Sequence, residues 1–462
     1  MISTHAYLNS KIAWASCLLL ATLAYQFNFI WVLFAPLVIP AVLAVLRFPI
    51  WVCLLFIVFS FFRIHEAIPQ LIPLRIPQLL AVAALAGLIW HSFISRQIVL
   101  FWHPLMRAFS LFFLLVLIGA MLATNRGESI AAITDTFSKI ALMLFAISWL
   151  IRTPANFRLA CWLMTAAGVL IGCIAIYNRL NGIGLVEGTR VTIGRSIGAM
   201  IGDPNDLALV LTFPLSFAAA LLASRKLATG LKVWLALPAV IIISWAILCT
   251  QSRGGLLGMT AVTAVVMWYR INNKLLVAGV GGSLLLVLVL VAGISSRASG
   301  GAAEDGIDES AMGRIYAWQA ATNMALSQPL TGVGIDNFYV NYYAYSPHWD
   351  GKNHAVHSTW FQILAETGIL GFAIFIRLVF KTFSQAFHNQ MRALQHAQPD
   401  IQVSAQALLA GLCSFCVSGT FLTQGFIWPL YILIALTIAL DRFLSSPPHT
   451  LNIATQNLEN AS

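Results

Sequence analysis

Asn353-His354-Ala355-Val356-His357-Ser358-Thr359-Trp360, running on through Phe361 to Gly371, is where the one long polar excursion of this sequence ends and an apolar run begins. A histidine stands at the mouth of that run. A lipid-facing position does not need one, because polar side chains in hydrocarbon are expensive. The apolar run is read as a membrane helix and the residues before it as the end of a loop.

Outward from this junction, apolar runs of about 18–22 residues recur along most of the chain, each able to cross roughly 30 Å of hydrocarbon as a helix. The 462 residues are 60% hydrophobic and only 9% charged, against about 25% charged in soluble proteins. A β-barrel would alternate in short segments instead. The expected fold is therefore all-α: a polytopic integral membrane protein of about 12 to 14 spans with one long periplasmic loop. The formal net charge of +10 comes from Lys and Arg in short interhelical loops, as membrane topology requires, and no basic aromatic patch suggests a nucleic-acid partner. All seven cysteines lie in or beside apolar runs, so disulfides are not expected. Cys413 and Cys416 read as small apolar residues stacked one turn apart. No cleavable signal peptide is evident, and Lys11 followed by Ile12 to Ala24 reads as a retained first span.

Spans are expected near 11–25, 27–46 and 49–62, then 78–95, 104–123, 131–151, 157–180, 204–223, 233–250, 255–270, 275–294, 361–383, 401–421 and 424–443. Pro69, Pro73 and Pro77 argue for a loop at 63–77 rather than a continuous helix. The organisation is then membrane helices with short loops over 1–294, including an arginine loop at 181–203. The long loop takes 295–358, further helices 359–444, and a polar disordered tail 445–462. Arg47, Arg96, Arg107, Arg152, Arg158, Arg225, Lys226, Lys232, Arg270, Lys274, Lys381, Arg392 and Arg442 fall in one alternating set of loops, which the positive-inside rule makes cytoplasmic along with both termini. The other set, 63–77, 124–130, 181–203, 251–254 and 295–358, faces the periplasm.

The long loop opens with flexible Ser295 to Gly301 and an acidic patch, Glu304, Asp305, Asp308 and Glu309. Arg314 to Ser327 reads as a helix with Ile315, Trp318, Thr322 and Ala325 on one face. Gln328-Pro329 ends it, and Gly332 and Gly334 make a turn. Phe338, Tyr339, Tyr342, Tyr343, Tyr345 and Trp349 follow, suited to a membrane interface or to stacking on sugar rings.

If a helix begins near Ser358, its positive end disfavours imidazolium at His357 and keeps the ring neutral, as a general base must be. The alternative is an interfacial polar residue. Glu366 lies about two turns into the apolar run, which is costly without a role. It either pairs with an arginine of another helix or acts directly. Gly368 and Gly371 would let a neighbouring helix approach. A second constellation is Arg190 and Arg195, followed by Gly198, Gly202 and Asp203-Pro204-Asn205-Asp206. Asp203 and Asn205 suit a turn and a helix cap. Arg253 in Ser252-Arg253-Gly254-Gly255 and Arg314 complete four arginines that suit a polyanionic head group, because guanidinium binds phosphate oxygens in pairs. His348, His354 and His357 with Asp350 raise a metal, but Pro347 and Gly351 loosen the spacing and no fixed third ligand follows.

These residues resemble the bacterial O-antigen ligase and polymerase family of membrane glycosyltransferases. His357-Ser358, nine residues, then Gly368-Ile-Leu-Gly371 matches the ligase motif His-[Asn/Ser/Gln]-x9-Gly-x-x-Gly. Gly313-Arg314 through Gly334 resembles the family's large periplasmic loop, and Arg195 through Asn205 its earlier arginine loop. The resemblance covers roughly residues 180–430. It implies a fold like that of the integral-membrane GT-C glycosyltransferases and an inverting transfer without metal or cofactor. The donor would be a glycan on undecaprenyl pyrophosphate, and the acceptor a sugar hydroxyl of lipid A–core, both held among membrane lipids. His357 would deprotonate or orient the acceptor. Arg195 and Arg314, and less directly Arg190 and Arg253, would bind the pyrophosphate. The rivals are an O-antigen or exopolysaccharide polymerase, a protein O-oligosaccharyltransferase, and a lipid-linked sugar transporter that needs no base.

Overall fold

The computed structural model describes residues 40, 42–64, 68–197, 199–291, 309–349 and 351–446. The expected spans at 11–25 and most of 27–46, Lys11, Gly198, Ser295 to Asp308, Asp350 and most of the tail lie outside the described residues. Fourteen helices carry the argument. They are α1 (Pro49–Phe61), α2 (Ile76–Ile89), α3 (Pro104–Met121), α4 (Arg126–Leu150), α5 (Pro154–Leu180), α6 (Pro204–Ala223) and α7 (Thr229–Thr250). They continue with α8 (Arg253–Arg270), α9 (Lys274–Val291), α10 (Glu309–Ser327), α11 (Phe338–Tyr345), α12 (Thr359–Leu394), α13 (Pro399–Gly419) and α14 (Trp428–Ser445). Among the described residues nine helices are long and apolar enough to cross a membrane, and there is no strand beyond one isolated bridge between Val186 and Arg190. The chain is a multi-pass all-α membrane protein.

Local chemistry sets the helix starts. Proline stands in the first turn of α1, α3, α5, α6, α13 and α14, where its missing N–H would have no partner anyway. Asp203 caps α6, its Oδ1 accepting from Asn205 N at 2.7 Å and Asp206 N at 3.4 Å. Ser252 caps α8 by accepting from Gly255 N at 3.3 Å. Within the three-proline stretch, a 3-10 turn over Pro69–Leu74 breaks at Arg75, whose φ is +45°, before α2 starts.

The centre of the bundle is α6, α13 and α14, the most buried of the nine. Helix α8 packs between α6 and α13. Gly255 makes this possible, since a Cβ there would meet the Ala208 Cβ. Aromatic rings fill the layer below the site: Phe137 meets Phe426 at 5.3 Å and Tyr431 at 5.5 Å, and Phe109 meets Tyr431 at 5.5 Å. Tyr431 also donates its hydroxyl to Gly425 O at 2.7 Å, which anchors the loop 420–427.

Four features depart from expectation. Helix α12 has 36 residues and runs well past 383, because Asn389 and Gln390 are buried rather than solvated and Asn389 donates to Thr437 O at 3.0 Å. The run read as adjoining spans at 421 and 424 is interrupted by the loop 420–427. Helix α4 begins at Arg126, inside the expected 124–130 loop, because Asn125 caps it by accepting from Glu128 N at 3.4 Å. The buried face of α10 is Ala317, Ala320, Ala321 and Met324, while Ile315 is exposed; small side chains let this helix lie close against α12.

Candidate functional site

Four segments far apart in sequence meet around the start of α12. The first is the approach to the helix itself. Ser358 is its N-cap, in extended conformation with φ −158°, and His357 precedes it with φ +47°. A non-glycine residue in the left-handed region is uncommon and is held there by its surroundings. On one side Val356 is buried and its carbonyl accepts from Trp318 Nε1 at 3.1 Å. Trp318 in turn stacks on Phe361 with ring centres 5.1 Å apart. On the other side Thr359 Oγ1 donates to Leu422 O at 2.8 Å. The backbone on both sides of His357 is thus pinned, to α10 and to the loop 420–427. Its own ring makes no hydrogen bond among the described residues. Burial first, then the Arg314 guanidinium, push the imidazole below its ordinary range; Asp203 pulls the other way, and His354 adds to the depression. The ring is therefore neutral near pH 7, and Arg314 and Asp203 both act on it electrostatically.

The second segment is α10 with the turn that follows it. Gly332 N donates to Gln328 O at 2.9 Å and Val333 N to Ala365 O at 3.0 Å. Gly368 answers from α12. Its φ of +69° and ψ of −175° break the helix, so that Ile369 N turns outward and donates to Pro329 O at 2.8 Å. That backbone region is open only to glycine, and a Cβ there would sit 2.5 Å from Pro329 O. The expected neighbour of Gly368, another helix, is in fact this loop. Gly371 alone faces a helix, Leu115 of α3. Glu366 joins the same clasp. Its Oε1 accepts from Phe338 N at 3.2 Å, at the start of α11, and its Oε2 from Gln362 Nε2 at 3.4 Å. It accepts from Asp336 N as well. Its partners are thus backbone and amide groups rather than the arginine considered from sequence. Asn337, which the sequence did not single out, is fully buried. It accepts from Asn125 N at 2.7 Å and donates to Ser129 Oγ at 2.8 Å, so the loop is latched to α4 as well.

The third segment is the arginine loop. Ile193 N donates to Ile201 O at 3.1 Å, closing a compact turn on which Arg195 is exposed. Among the described residues the only hydrogen bond of Arg195 is from Nη1 to Gly202 O at 3.3 Å. Arg190 is turned inward: Nη2 donates to Asn205 Oδ1 at 2.9 Å and Nε to Thr250 O at 3.2 Å. It ties the loop to α6 and α7. Arg253 opens α8 and is partly buried.

The fourth segment, 420–427, was missed altogether. Gln424 N donates to Thr359 Oγ1 at 3.2 Å, and Gln424 Nε2 to Asp206 Oδ1 at 2.7 Å. Gly425 N donates to Gln362 Oε1 at 2.8 Å. The only hint in the sequence is Thr423-Gln424-Gly425, a brief polar break between apolar runs.

The histidines weighed as metal ligands go to separate partners. His348 stacks on Tyr316 at 4.8 Å, and His354 lies edge-on to Tyr342 at 5.3 Å. Among the described residues no three His, Cys, Asp or Glu side chains converge. The aromatic run divides: Phe338 and Tyr342 are buried, while Tyr339, Tyr343 and Trp349 are exposed.

Residues 238–376 match the family model described as O-antigen ligase. The match takes in Arg253, Arg314, His357, Glu366, Gly368 and Gly371, and it bears out the resemblance seen in the motif. The arginine loop and Gln424 lie outside the matched stretch. A comparison with curated proteins gave no match. The activity type that the match supports is that of O-antigen ligases and polymerases.

Proposed function

We propose that this protein is an O-antigen ligase. It transfers a glycan from undecaprenyl pyrophosphate to a sugar hydroxyl of lipid A–core, at the periplasmic face of the inner membrane, with both termini in the cytoplasm. The observation that supports this best is the setting of His357: inside the family-matched stretch, in left-handed backbone, with a neutral ring beside Arg314 that makes no hydrogen bond among the described residues.

The chemistry follows from these groups. The acceptor hydroxyl oxygen attacks the anomeric carbon, its proton passes to the neutral imidazole of His357, and the bond from carbon to pyrophosphate oxygen breaks with inversion. The pyrophosphate leaves with its electron pair, and Arg314 and the exposed Arg195 stabilise its charge. Arg253 supports them. Arg190, with Asp203 and Asn205, shapes the loop that presents Arg195. Glu366 and Gly368 hold the long loop over the start of α12, so that Arg314 stays beside His357, and Gly371 lets α12 pack against α3. The leaving group is good, so proximity, charge stabilisation and one base suffice, and no metal or cofactor is called for.

Reconstitution tests this directly. Purified protein is mixed with undecaprenyl-pyrophosphate-linked glycan and lipid A–core in the presence of a chelator. Glycan is expected on lipid A–core, and none in His357→Ala. Elongation of the lipid-linked glycan, with nothing on lipid A–core, would make the protein a polymerase instead. Glycan on protein serine or threonine would make it a protein transferase, and movement of the lipid-linked glycan across the bilayer with no transfer to any acceptor, kept in His357→Ala, would favour a transporter.

A further inference from the structure

A chain of contacts leads from His357 to Asp203. The chain passes from His357 through Ser358 to Thr359, whose Oγ1 accepts from Gln424 N at 3.2 Å. Gln424 Nε2 donates to Asp206 Oδ1 at 2.7 Å, and Asp206 N to Asp203 Oδ1 at 3.4 Å. Asp203 acts on the His357 ring electrostatically, raising its pKa. Two side-chain oxygens on this chain of contacts, Ser358 Oγ and Gln424 Oε1, are buried and make no hydrogen bond among the described residues. Both residues are 1% exposed. Thr423 Oγ1, in the same loop, is also unsatisfied.

Buried polar atoms are paired in the great majority of cases, so a group of orphans beside a reactive side chain calls for a reason. Ser358 holds the N-cap position of α12, where a serine ordinarily bonds a backbone N–H of the first turn; here it makes no such bond. The orientation of Gln424 is fixed by Asp206: the carboxylate takes the N–H, so the carbonyl oxygen points elsewhere. That oxygen only accepts, whereas the serine hydroxyl both donates and accepts.

We propose that Ser358 Oγ and Gln424 Oε1 form a subsite for the hydroxyl groups of a sugar. An amide oxygen can only accept and an ionised phosphate has no proton to give it, so the group received here is a neutral polyol. Sugar hydroxyls supply both the donor that Gln424 needs and the partner that Ser358 lacks. The proposal rests on the ligase reading, and two sugars have this chemistry: the lipid A–core acceptor and the first residue of the lipid-linked glycan.

The test is equilibrium binding to the purified full-length protein, with lipid A–core and undecaprenyl-pyrophosphate-linked glycan titrated separately. Ser358→Ala removes an oxygen that bonds nothing in the protein, so folding is expected to be unchanged. One lost hydrogen bond corresponds to a rise in Kd of about threefold to tenfold. A rise for lipid A–core assigns the subsite to the acceptor, and a rise for the lipid-linked glycan assigns it to the donor. Ser358→Thr should restore the wild-type Kd, and Gln424→Leu should weaken the same ligand as Ser358→Ala. Unchanged Kd for both ligands in Ser358→Ala, with the protein folded, would overturn the proposal. The wild-type transfer assay, run alongside, reports on the ligase reading alone, because binding is read without turnover.

Discussion

His103 and His357 both stand at the entrance of a membrane-length helix, one before α3 and the other before α12. His103 has ordinary extended backbone and uses both ring nitrogens. Its Nδ1 accepts from Leu105 N at 3.1 Å, and its Nε2 meets Asp441 Oδ2 at 3.2 Å. Asp441 is held in turn by Arg392 at 2.9 Å. His357 is in left-handed backbone, pinned on both sides, with no hydrogen bond to its ring among the described residues. Individual arginines show a similar contrast. Near His103, Arg152 donates to Trp149 O at 2.8 Å and Gln97 O at 2.9 Å, and Arg442 lies 4.0 Å over the Phe101 ring. On the arginine loop, exposed Arg195 has a single hydrogen bond among the described residues, of 3.3 Å. A polar group satisfied on every side holds a fold together. One that the fold holds rigidly yet leaves unsatisfied is poised for a ligand.

The largest effect that would break this contrast is in the histidines themselves. His357→Gln should cut transfer by about 10²- to 10⁴-fold, the usual contribution of a positioned base, with an unchanged Tm. Wild-type transfer in that variant would remove the distinction between the two sites. Arg314→Ala should lower kcat by about 10²-fold or more, since it removes charge stabilisation from the leaving group. Arg314→Lys should recover only part, because lysine lacks the planar fork. Gly368→Ala should cost more than about 2 kcal/mol, from a disallowed backbone and a clash with Pro329 O. Thermal unfolding would show it, and an unchanged Tm would mean that the loop is not clasped there. The smallest effect is expected at His103→Ala: a loss of about 1 kcal/mol from an unpaired cap and an unmatched Asp441, with transfer preserved.

What was legible in the sequence follows the range of the interaction. Helix starts announce themselves through Pro104, Pro154, Pro204 and Asp203, because capping acts within a few residues. The His357 to Gly371 spacing is likewise local. Gly368 is visible as a glycine, but its partner is the carbonyl of Pro329, supplied by a separate loop. Glu366 is visible as a costly charge, yet its backbone partners at Asp336 and Phe338 follow only from the folded clasp. Gln424 is nearly invisible: it sits between two apolar runs and meets Asp206 from 218 residues away. The end of α12 was misplaced for the same reason, since Asn389 looks solvated until Thr437 is found opposite it.

The most direct measurement is the pH–rate profile of kcat/KM for wild type and Arg314→Gln in the reconstituted transfer assay. A base at His357, as proposed, is active when neutral, so activity should be lost as the pH falls through its pKa. Burial and Arg314 hold that pKa below the ordinary 6.5. The acidic limb should therefore lie below pH 6.5 in wild type and move to higher pH when the Arg314 charge is removed. An acidic limb at or above 6.5 that stays in place in Arg314→Gln would contradict a neutral base poised beside Arg314.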